Sequence, residues 1–86
     1  MGNGRLYMLN IIIIYDKPRD FPHSFVARRH TIGENGPFAT NDFIISPTLE
    51  PARLWAQSQC RKWNSDTPMN LGLPVDEAKG IIEYWA

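Results

Sequence analysis

Residues 11–14 are four consecutive isoleucines. Branching at Cβ stiffens χ1 and crowds a helix, so such a run favours an extended strand. Leu9 and Tyr15 prolong it, and within the quartet no polar residue alternates with the apolar ones. A strand apolar on both faces belongs in the interior of a sheet, covered from each side. The quartet therefore predicts a central strand over 9–15, which needs strands on both flanks and a layer to lie across it.

The chain around it is short. Eighty-six residues make one domain, and such a chain buries only about 60–65% of its unfolded surface. Hydrophobic residues are 43% and charged residues 21%, so a folded rather than a disordered chain is expected. The apolar run Leu6–Tyr15 is half the length needed to cross a bilayer, which takes about twenty residues. It is followed by Tyr15-Asp16-Lys17-Pro18, where a signal peptide would carry small residues. Met1-Gly2 lacks the Ser or Thr at position six that acylation requires. Residues 1–7 are expected to be a loose arm, with Met8 an alternative start. A single cysteine excludes an internal disulfide and suits a reducing compartment, so a cytoplasmic protein without membrane contact is expected.

Further along, Asp16–Ser24 reads as a stiff loop. Pro18 and Pro22 push Lys17 and Phe21 toward extended backbone. Asp16, Asp20 and Ser24 are expected to hold its turns through their side chains. Phe25–Ile32 alternates only in part, which predicts an edge strand or one with a wet side. Gly33–Asn41 reads as a Gly/Asn/Pro loop and Asp42–Ser46 as a short third strand. A helix follows, with Thr48 as N-cap and Pro51 tolerable in the first turn. At 100° per residue, Leu49, Ala52, Trp55, Ala56, Cys60 and Trp63 share an arc of about 140°, and Leu54 projects from the polar side. Asn64–Lys79 is a long polar stretch, with Asp76–Lys79 a candidate helical turn. Ile81–Trp85 reads as a last strand. The expected fold is α+β: a small, mainly antiparallel sheet of three to four strands with one helix packed on one face, in the order β-β-β-α-β. The last strand should pair beside the first. The second face of the sheet is left wet, covered by the long loop, or used in self-association.

Several of these segments carry a resemblance. Tyr15-Asp16-x-Pro18-x-Asp20-x-Pro22 running into Phe25-Val26-x-Arg28-Arg29 resembles a family of short proteins encoded by tailed phages and bacterial prophages. Thr48-Leu49-Glu50-x-Ala52-Arg53 is similar to their helix start and Ile81–Trp85 to their terminal strand, whereas Pro51 and residues 65–79 depart from the pattern. The resemblance implies an accessory protein of a phage or prophage. It implies no catalytic residue and no cofactor.

The chemistry-bearing residues are few. Cys60 falls on the apolar helix face, where a thiol is structural rather than reactive. His23 and His30 are the only histidines, without metal-ligand spacing, so no metal site is expected. Gly33-Glu34-Asn35-Gly36 lacks the Lys-Ser/Thr of a phosphate loop. Asp16, Asp20 and His23 read as turn residues rather than an acid–base set. The candidate partner-binding residues are the basic Lys17, Arg19, Arg28 and Arg29 and the apolar Leu54, Tyr84 and Trp85. Local pairing of Arg28 or Arg29 with Asp16 or Asp20 would consume part of the basic set. Tyr84 and Trp85 lie on opposite faces of the last strand, so one of them faces away from the helix and could join Leu54, Met69, Leu71 and Leu73 in an apolar patch. The expected function is non-catalytic binding of a host or phage protein, such as inhibition of a host defence. The alternative is a small nucleic-acid-binding module using the basic residues. A homodimer is compatible with either.

Overall fold

The computed structural model describes residues 9–74, 76 and 79–86. The arm expected at 1–7 and the start at Met8 lie outside them, as do two of the four residues of the turn expected at 76–79. β1 (Leu9–Asp16), β2 (Phe25–Gly33), β3 (Gly36–Ser46), α1 (Leu49–Trp63) and β4 (Ile81–Trp85) follow one another in the chain. The strands form one antiparallel sheet in the order β3-β2-β1-β4, with α1 across one face. This is the expected α+β arrangement, and the isoleucine quartet occupies the interior strand.

The quartet divides its side chains between two faces. Ile12 and Ile14 point to the helix and are almost fully buried. Ala27 from β2 and Ala52, Ala56 and Cys60 from α1 complete this core. Small residues at every fourth helix position let α1 lie close to the isoleucines. Phe25, Ile44, Leu49, Trp55, Ile82 and Trp85 pack round the edge. Ile82 reaches the core because it is the extra residue of a bulge: Ile14 pairs with Glu83, but Tyr15 pairs with Ile81. Trp63, expected in the core, is 42% exposed. It is the last helical residue and lies past the covered part of the sheet, where its ring stacks on the Arg29 guanidinium, 4.1 Å from centroid to Cζ.

Further expectations are corrected. The Gly/Asn/Pro segment 33–41 is mostly strand, not loop. Gly33 pairs with Gly36 around a two-residue turn, and Gly36 takes a φ of 102° that a side chain would resist. Pro37 is tolerated because β3 is the edge of the sheet. β2 is therefore interior, not an edge; its polar residues reflect a partly wet face instead. The loop 16–24 is held by backbone bonds, Lys17 N–H to Ser24 O, Phe21 N–H to Pro18 O and Ser24 N–H to Phe21 O, rather than by side-chain turns. Closing it that way puts Lys17 at φ 50°, left-handed rather than extended. Thr48 is the N-cap residue but makes no side-chain cap; the Ser46 hydroxyl instead bridges Thr48, donating to its carbonyl and accepting from its N–H.

The long segment after α1 runs back along the outer edge of β4. Met69 and Ala86 exchange two backbone bonds, Leu71 N–H donates to Tyr84 O, and Asp76 bridges Ile81. On the opposite edge, β3 carries a bulge: Thr40, Asn41 and Asp42 face the single residue Arg29. Arg29 staples it. Its guanidinium donates to Asp42 Oδ2 at 2.6 and 3.0 Å and to Asn10 Oδ1 at 2.8 Å, while Thr40 Oγ1 donates to Arg29 O.

Candidate functional site

The sheet face away from α1 is the candidate site. Residues paired across antiparallel strands share a face, so its rows follow from the register. One row runs Ile45, Val26, Tyr15, Ile81. The next runs Phe43, Arg28, Ile13, Tyr84, and a third Ala39, His30, Ile11. Ile13, on this uncovered face, is only 8% exposed. Its cross-strand neighbours on either side are Arg28 and Tyr84.

The loop 16–24 rises at one end of this face and turns it into a groove of about 250 Å³. Tyr15, Val26, Arg28, His30 and Ala39 form the floor, and Pro18, Asp20 and Phe21 the wall. Tyr15 Oη lies 3.3 Å from His30 Nε2. Burial pushes the Tyr15 hydroxyl above its ordinary value. Burial, aided by the Arg28 charge, holds His30 below its own. Both groups are thus biased toward their neutral forms, and a histidine held down is a weaker base. The Arg28 guanidinium lies 4.4 Å from the centre of the Phe43 ring, in cation–π contact.

Arg28 differs from its neighbours in what it pairs with. Arg28, Arg29 and Arg53 are all half-buried. Arg29 is paired with Asp42, and Arg53 with Glu83. Among the described residues, Arg28 has neither a carboxylate within 4 Å nor a side-chain hydrogen bond. The pairing expected of Arg28 or Arg29 with Asp16 or Asp20 does not occur. Alternation puts Arg29 on the helix side of β2, where the bulge claims it, and Arg28 on the other.

The remaining sequence candidates scatter. Tyr84 lies on the open face beside Ile13. Trp85 lies on the helix side, where its indole N–H donates to Glu83 Oε1 at 2.9 Å, so it is part of the core. Leu54 is 57% exposed. It is two residues from both Ala52 and Ala56, hence on the outer side of the helix, and cannot share a surface with Tyr84. Leu71, by its backbone bond to Tyr84, lies beside this face past β4. Lys17 and Arg19 lie at the end of the sheet. There they line a second, more polar groove of about 540 Å³ with Lys79, which the sequence analysis did not single out. Lys17 also contacts Asp16 at 3.5 Å.

Cys60 is fully buried, and burial pushes its thiol above the usual value. Labelling by a thiol reagent at neutral pH is expected to be at least about a hundredfold slower in the native protein than in urea, because reaction waits on opening of the helix. Rapid native labelling would show that α1 does not seal the core. Among the described residues no group of three or more His, Cys, Asp or Glu is placed to hold a metal, and no helix is long and apolar enough to cross a membrane.

No family model matches the chain, and neither a curated protein nor a solved structure matches it.

Proposed function

We propose that this domain is a non-catalytic protein-binding module that receives its partner on the open face of the sheet. The observation that carries the reading is the half-buried Arg28 on that face, which has no carboxylate partner among the described residues. A charge in such a setting is commonly paired, and exposed apolar side chains such as Phe43 and Ile45 beside it suit an interface. The groove's 250 Å³ falls below the roughly 300–1,000 Å³ of small-molecule pockets, a size suited to one side chain of a larger partner. The motif resemblance supports an accessory role in a phage or prophage, in the cytoplasm of a bacterial host, with a host or phage protein as partner.

The test is capture by the tagged domain from such cells. Ile45 is 43% exposed on the open face, so Ile45→Glu should weaken partner binding at least about tenfold while leaving the fold intact. Leu54→Glu, on the outer helix, should leave binding unchanged. The reverse pattern would move the interface to the helix, and turnover of a substrate by the purified domain would end the non-catalytic reading.

The second groove favours one other reading. Lys17, Arg19 and Lys79 could together contact a nucleic-acid backbone. Three phosphate contacts imply a log–log salt slope no steeper than about −3, and Asp16 among them weakens the field. Retention of RNA or DNA at low salt, lost in Lys17→Glu/Arg19→Glu, would establish it.

A further inference from the structure

We propose that the segment received by the groove carries an apolar side chain beside a carboxylate, the apolar chain seated against Tyr15 and Phe21 and the carboxylate paired with Arg28. This rests on the open-face reading and gives the partner its chemistry. The argument is charge complementarity. Each of the other half-buried guanidiniums has its carboxylate within the chain: Asp42 for Arg29, Glu83 for Arg53. Arg28 has none among the described residues, and its cation–π contact with Phe43 supplies no anion. A guanidinium presents paired N–H groups that match a carboxylate bidentately. Asp20, in the wall beside Phe21, repels an anion there, so the apolar chain takes the wall and the carboxylate the Arg28 end. His30 does not compete for the anion, since it is biased toward its neutral form.

A second copy of this chain is the weaker occupant. Symmetric contact sets this face against itself, and the one carboxylate that lines the groove, Asp20, stands in its wall rather than on a projecting segment that could enter a second groove.

The probes are N-acetylphenylalanine, which keeps a free carboxylate, and N-acetylphenylalaninamide, the same shape without charge. They are titrated into the ¹⁵N-labelled full chain, following the amides of Val26, Arg28, His30 and Ala39. The acid should shift these amides and bind about tenfold more tightly than the amide, the ratio expected of one charge-assisted pair over a neutral one. Arg28→Gln should abolish that preference. Arg28→Lys, which keeps charge and fold but loses the planar fork, should retain part of it. Equal binding of the two probes, unaffected by Arg28→Gln, overturns the carboxylate assignment while leaving the open face as an interface. Absence of any shift at tens of millimolar probe also overturns it, since the groove then admits no side chain. Failure of the interface itself is read separately, as partner capture that survives Ile45→Glu.

Discussion

Ile14→Ala is expected to lower folding stability by about 3–5 kcal/mol, in the upper part of the range for a fully buried aliphatic side chain. Ile14 is completely buried, between the helix alanines above and the flanking strands on each side. Its truncation removes apolar burial and leaves a void that Ala27, Ala52 and Ala56, already minimal, cannot fill. A domain of this length has about 4–13 kcal/mol in all, so the loss is a large fraction and the variant should be partly unfolded at 37 °C. Urea unfolding followed by tryptophan fluorescence measures it directly. Leu54→Ala is the control, and should stay within about 0.5 kcal/mol because Leu54 is mostly in solvent. An Ile14 loss below about 1 kcal/mol would mean that α1 does not cover the quartet.

The second large effect is at Glu83. Its carboxylate accepts two bonds from Arg53 Nε, at 2.9 and 3.2 Å, a third from the Arg53 terminus, and the Trp85 indole N–H. These join α1 to β4, which otherwise touch little. Burial raises the Glu83 pKa, but the bonds from Arg53 and Trp85 outweigh it and hold the group below the usual carboxylate value. Arg53 is substantially solvated, so the pair is discounted for screening. Glu83→Ala, which also strips the indole of its acceptor, should cost about 1–2 kcal/mol. A carboxylate depressed in the folded state contributes stability that is complete above its unfolded value, about 4.3, and is lost as pH falls through the folded one. Stability should therefore decline on acidification below about pH 4.3, and Glu83→Gln should remove that part of the decline. His30, also depressed, adds a separate loss that begins below about 6.5 and is common to both proteins. An unchanged acid slope in Glu83→Gln would show that the ion pair does not hold in solution.

What could be read in the sequence was whatever repeats locally. The isoleucines placed an interior strand because stiffness and lack of alternation act within a few residues. The helix stripe followed from a 3.6-residue period, and failed at Trp63 because periodicity does not say where the covered part of the sheet stops. Segment 33–41 was misread because glycine, asparagine and proline mark loops in general, and only an edge position makes Pro37 acceptable in a strand. The site was legible in fragments. Alternation already separated Arg28 from Arg29, but it could not say which would be stapled. That depends on Asp42 and Asn10, and on a bulge set by the pairing register of distant residues. The groove wall from Pro18 to Phe21 and the addition of Lys79 to the second groove are products of tertiary folding, with no local signature.

The bulge at residues 40–42 and Pro37 also decide how other molecules can approach. Unlike β4, whose outer edge is bridged by the segment after α1, β3 has no backbone alongside it among the described residues, and its rail of amides and carbonyls is interrupted twice, once by a missing N–H and once by a detour of the backbone. A visiting chain cannot zip along such a border for more than a few residues. Under the proposed open-face binding, recognition then falls to side chains, where sequence matters, rather than to main-chain zippering, which any extended peptide could exploit. The same interruption lets copies crowd together without stitching into fibres.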